Sequence, residues 1–192
     1  DGDDGKIFIV QARPETVHSN LSRSVLERYV MDPKLLQSLK ESEQILTTGQ
    51  AVGKRIGSGS VRIYYSYEDV IKQRRSYQQR LSEGEREEDI PLSERVFNQG
   101  DVLVTEMTTP DWEPMMKMAS LIVTRKGGRT SHAAIIAREF GIPAIVGSTD
   151  CMNHLQPLDE ITGSCAEGDV GYIYRGIHPF DIERIEIDSN VE

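Results

Sequence analysis

The residues of this chain best suited to chemistry gather in one short run, Gly127-Gly-Arg-Thr-Ser-His132. An imidazole is a nucleophile and proton carrier near neutral pH. The paired glycines before it permit positive φ and a close backbone approach. Arg129 is a planar, permanently charged partner for phosphate oxygens, and the Thr130 hydroxyl is a hydrogen-bond donor. No acidic residue lies between Lys126 and Arg138, although the whole chain carries a net charge of −9. A phosphoryl group on His132 would therefore meet donors and positive charge, with no carboxylate near in sequence. The fitting chemistry is covalent transfer of an anionic group through histidine. A lone histidine without this company would be read as a capping or partly buried residue.

Two strands and a helix must position the run. Ala119-Ser-Leu-Ile-Val-Thr124 is an apolar stretch of strand length. Thr130 and Ser131 are N-cap types. From His132 the spacing turns helical, with Ala133, Ile136, Ala137 and Phe140 at i, i+3, i+4 and i+7. Gly141 supplies a stop, and Pro143 prevents continuation. Ala144-Ile-Val146 then reads as a short buried strand. His132 thus falls in the first turn of a helix, where free N–H groups and the dipole suit phosphate and oppose positive charge on the ring.

The stretch from Gly127 to Gly147 closely resembles the phosphohistidine segment of the phosphoenolpyruvate (PEP)-utilising enzymes, and among them that of the phosphoenolpyruvate synthases (pyruvate, water dikinases). Ile9-Val-Gln-Ala-Arg-Pro-Glu-Thr16, Asp111-Trp-Glu-Pro114 with Lys117, and Ser164-Cys-Ala-Glu-Gly-Asp169 through Tyr172 carry the same resemblance. Ser131 departs from it, since most synthases have cysteine there. Serine is familiar from pyruvate, phosphate dikinase and from enzyme I of the sugar phosphotransferase system. Those two are the alternatives within the family, and Gln11 to Glu15 disfavours enzyme I, which has no ATP-grasp domain. A free-standing binding module without catalysis is the alternative from another class.

The resemblance implies an α/β fold: a swivelling β/β/α phosphohistidine domain, flanked by a small remnant of an ATP-grasp domain and by helical linkers. The boundaries expected are 1–17 for the ATP-grasp strand, 18–48 for a partly helical linker, and 49–176 for the phosphohistidine domain. Residues 68–95 read as a charged insertion within it, and 177–192 as a linker toward a missing PEP/pyruvate-binding barrel. The implied reaction carries phosphate from ATP through His132 to pyruvate, giving PEP, AMP and phosphate, in the presence of Mg²⁺. His132 is the carrier, Thr130 its hydrogen-bond partner and Arg129 a phosphate clamp, with Arg138 a weaker candidate. Gln11 and Arg13 share one face of the first strand. By the resemblance both face ATP, Gln11 near the metal and Arg13 on the phosphates. The rest of the ATP and Mg²⁺ sites falls outside this chain, as do the domains that would be its partners.

Composition bounds the remainder. At 192 residues, one domain with appendages is the natural count. The acidic balance argues against a nucleic-acid module. No apolar run is long enough for a membrane span, and no signal-peptide pattern is present. Cys151 and Cys165 show neither metal spacing nor a disulfide framework, so reduced, packed thiols in a cytoplasmic protein are expected. The start at Asp1 without methionine suggests a piece of a longer chain. Asp1 to Gly5 lacks the pattern of a calcium loop. Asn20 to Thr48 reads as one or two short helices around Asp32-Pro33, and Glu68 to Arg95 as a solvated helix with an acidic loop. Trp112, Met115, Met116 and Met118 are read as packing residues. Gly163 to Tyr174 reads as a hairpin, and His18, His154 and His178 as surface residues.

Overall fold

The computed structural model describes residues 24–187, of which Glu27–Arg184 form one compact unit. The expected ATP-grasp strand, with Gln11 and Arg13, and His18 lie outside the described residues. In order the elements are β1 (Ser24–Val30), α1 (Pro33–Glu41), β2 (Ile45–Val52), β3 (Ile56–Tyr64) and α2 (Tyr67–Ser82). Then follow β4 (Val102–Thr105), α3 (Glu113–Met116), β5 (Leu121–Thr124), α4 (His132–Phe140) and β6 (Ala144–Val146). The last are α5 (Cys151–His154), β7 (Glu160–Ser164), β8 (Val170–Arg175) and β9 (Asp181–Ile187).

The fold is mixed α/β, but its β layers are not separate. They join into a closed barrel ordered β2-β6-β5-β4-β3-β7-β8. Strands β3, β4, β5 and β6 are parallel neighbours in chain order. Strands β2, β7 and β8 complete the ring in antiparallel pairings. The corner is made by β3, whose Ile56–Ser60 pairs with β7 while Val61–Tyr64 pairs with β4. Two glycines let it turn there. A Cβ on Gly57 would stand 2.0 Å from the Ser120 carbonyl oxygen, and one on Gly59 2.2 Å from that of Gly100.

Strand alternation builds two cores from the same strands. Val102, Val104, Leu121, Val123 and Ile145 fill the barrel with Ile161, Ile173 and both cysteines. Their neighbours Leu103, Ile122, Ala144 and Val146 face outward and pack against Trp112, Met115, Met116 and the buried face of α4. The expected strand, helix and strand of the central unit are all present, and the expected hairpin is β7 paired with β8. Phe140 is the exception on α4: it is exposed, and Ala134 is buried instead. Gly141 ends the helix in the left-handed conformation, φ 65°, as its lack of a side chain permits.

Three segments carry more structure than their sequence reading gave them. Residues 68–95, read as a charged insertion, hold the expected helix, but only one side of it is solvated. Parallel strands cannot be joined by a tight turn, and α2 with its following turns is the crossover from β3 to β4. Val70, Tyr77 and Ile90 bury its inner face, while ion pairs such as Arg86 with Asp89 keep to the outside. The 18–48 segment is not merely a linker. Ser24–Val30 is a strand beside β9 rather than a helix, because a distant partner overrode a weak local spacing. Its Tyr29 and Met31, with Leu39 of α1, pack against Ile56 and Tyr174 of the barrel, and β2 begins inside the segment at Ile45. The 177–192 segment likewise contains β9. Asp32 caps α1 as its sequence suggests, accepting from the backbone N–H of Lys34 at 2.8 Å and of Leu35 at 3.1 Å.

Candidate functional site

The parallel strands determine where the site lies. Because β4 and β5 run side by side in one direction, the loops after their C-terminal ends are neighbours, and α4 starts from the second loop. The loops continue the ladder beyond the strands: Arg125 N–H donates to the Thr105 carbonyl at 3.0 Å and Lys126 N–H to that of Glu106 at 2.9 Å. The Glu106 carboxylate then clips Arg125 at 2.6 Å and Lys126 at 3.1 Å. Its hydrogen bond from Arg125, reinforced by Lys126, holds its carboxyl below the usual range.

Gly127 takes φ 99°, where a Cβ would also meet Ser131 at 2.9 Å. A turn follows, closed by Ser131 N–H donating to the Gly128 carbonyl at 2.9 Å. Ser131 is the N-cap of α4, its hydroxyl accepting from Ala134 N–H at 3.4 Å. That leaves the N–H groups of the first turn, including that of His132, open at the helix start.

His132 is held from the other loop. Its Nδ1 lies 2.9 Å from the Thr108 hydroxyl oxygen. Nε2 is buried and has no hydrogen-bond partner; the nearest acidic group is Glu113, whose Oε1 is 3.9 Å away. A carboxylate absent from the local sequence is thus present in space.

The other expected site residues fall differently. Thr130 is exposed at the outer corner of the turn and makes no hydrogen bond to His132 among the described residues. Thr108 occupies that role. Arg129 turns outward and pairs with Asp169 at 2.7 Å. It lines a cleft of about 600 Å³ with Lys54, Arg138 and Asp169. Arg138 folds back along the helix to donate to the Arg129 carbonyl at 2.7 Å, bracing the loop. The arrangement offers one nucleophilic nitrogen free of partners and a cationic cleft on the same loop. His154 is exposed, and His178 is half-buried with its ring bonded to the Arg175 carbonyl at 2.6 Å. Among the described residues no group of three or more His, Cys, Asp or Glu is disposed to hold a metal ion.

Thr108 and Glu113 were not legible as site residues in the sequence. Their signal was the Thr108-Thr-Pro-Asp-Trp-Glu-Pro114 stretch, which stands out by type but does not reveal that its loop adjoins the histidine loop.

Residues 97–168 match the family described as PEP-utilising enzyme, mobile domain. Phosphoenolpyruvate synthase of Pseudomonas aeruginosa is 46% identical over 189 residues, 98% of this chain and 20% of that protein. Over residues 97–168 the chain is thus similar to the mobile domain of the PEP-utilising enzymes. Phosphoenolpyruvate synthases of Helicobacter pylori and Escherichia coli are 43% and 44% identical, over 100% and 98% of this chain. The chain spans about 20% of the length of these relatives. Among solved structures, the solution structure of an enzyme I protein (nEIt) is 32% identical over 38% of this chain and 30% of that chain, with a TM-score of 0.32. Among the described residues, no helix is long and apolar enough to cross a membrane.

Proposed function

We propose that this chain is the phosphoryl-carrying part of a cytoplasmic phosphoenolpyruvate synthase, relaying phosphate from ATP through His132 to pyruvate. The observation that carries the reading is the divided state of the imidazole: Thr108 engages Nδ1 while Nε2 has no partner. With Nδ1–H donating to the Thr108 oxygen, the ring's lone pair lies on Nε2, the nitrogen a nucleophilic step requires. The relatives' printed names, phosphoenolpyruvate synthase, supply the substrate class.

In the proposed cycle Nε2 attacks phosphorus, and the bond from phosphorus to the departing AMP oxygen breaks. Arg129 exchanges Asp169 for the transferred phosphate's oxygens, and Thr130 adds a second donor at the turn. The covalent relay divides one transfer into two, each in its own site. Those sites belong to an ATP-grasp domain and a PEP/pyruvate-binding domain of the same polypeptide. ATP and Mg²⁺ bind mostly outside this chain, with Gln11 and Arg13 contributing.

The test is labelling of the full-length protein containing this chain with radioactive ATP. An acid-labile, base-stable phosphoprotein is expected, and His132→Asn abolishes it. Retention of that label in the variant would refute the assignment.

A further inference from the structure

Glu113 opens α3, and its Oε1 stands 3.9 Å from the free nitrogen of His132. Of the nearby carboxylates, Glu106 holds Arg125 and Lys126, Asp169 holds Arg129, and Asp111 is exposed and makes no ion pair with His132. Glu113 has no cation or hydrogen-bond donor on its oxygens among the described residues other than the approach of His132 itself. Its side chain is 36% exposed, so water reaches it. The turn that carries it is nevertheless fixed, with Trp112 and Met115 buried on either side. An unpaired carboxylate facing a nitrogen that accepts phosphate repels the incoming group. Such a placement is productive when the reaction needs a base at that point.

The reaction proposed above has such a point. It consumes water and divides ATP into AMP, orthophosphate and the phosphoryl group of PEP. Attack of Nε2 on the β-phosphorus expels AMP and leaves the β- and γ-phosphoryl groups together on the ring. We infer that Glu113 is the general base for the water step that follows, an assignment resting on the carrier reading of His132. Glu113 takes a proton from water as the oxygen bonds to the terminal phosphorus. The bond from that phosphorus to the bridging oxygen breaks, and the bridging oxygen keeps the electron pair. Orthophosphate leaves, and one phosphoryl group stays on Nε2. The proton then passes from Glu113 to solvent.

The experiment uses the full-length protein containing this chain and two ATP samples, one labelled at the β-phosphate and one at the γ-phosphate. The wild type should hold β label on His132 and release γ label as orthophosphate. Glu113→Gln should take up β label at the wild-type rate yet keep γ label on the protein, with release slowed about 10²–10⁴-fold. Glu113→Asp keeps a carboxylate and should restore part of the release. Release of γ label from Glu113→Gln at the wild-type rate would overturn the inference. So would an equal fall in β uptake and γ release, which would make Glu113 a positioning residue. A folded wild type that takes no label from either sample would overturn the carrier reading itself.

Discussion

At the scale of single residues, the hydroxyl of Thr108 decides which imidazole nitrogen is free. Thr108→Val preserves shape and removes only the hydroxyl, so Nδ1 loses its partner and the ring loses the contact that orients it. Loss of one such hydrogen bond is worth about 1 kcal/mol or more, and phosphoryl transfer to His132 should fall about tenfold. Thermal unfolding should stay near the wild type, because an isosteric apolar side chain at this buried position opens no cavity. Single-turnover labelling beside a melting curve checks both halves. Early melting with normal labelling would assign Thr108 to the fold alone. The histidine was legible from its own neighbours, since glycines, arginine and a helix start are local facts. Its partner was not, because Thr130 and Thr108 are the same residue type and only strand order tells which one faces the ring.

Elements explain why the charged stretch misled. From Glu68 to Arg95 the acidic and basic residues outnumber the apolar ones, and the run reads as solvated. Yet Val70 and Tyr77 lie seven positions apart on one face of α2, and Ile90 is 1% exposed beneath the following turns. A sparse stripe suffices when the helix lies across a barrel already closed by other strands. Ile90→Ala should therefore cost about 2–5 kcal/mol, read as a fall in urea midpoint with unchanged slope. A loss within a few tenths would mean that the segment is an appendage after all. The central helix was easier to see, because Ser131, Gly141 and Pro143 punctuate it. Strand β1 was misjudged because Val25 and Tyr29 are spaced as on a helix, and nothing nearby reveals a partner at Asp181–Ile187.

For the whole molecule, the two thiols report on integrity. Cys151 and Cys165 sit in the barrel core, where burial pushes each thiol up to about 11. Alkylation at pH 8 should be negligible in the native protein and rapid in urea, following global opening. Because the folded value lies above the ordinary 9.0, the unfolded chain sheds these protons first as pH rises. Stability should then be level up to about pH 9 and decline between there and about pH 11, and a Cys151→Ala, Cys165→Ala variant should show a shallower decline. A steep, early loss of native thiols near pH 8 would contradict the packing. The barrel itself has one further consequence. Every strand in it finds both neighbours within the ring, so it presents no edge to which another sheet could add. A partner that docks on the barrel meets it through loops and helices, where contacts are made by side chains. Separation from such a partner then breaks no backbone ladder of the barrel, so release costs only side-chain contacts.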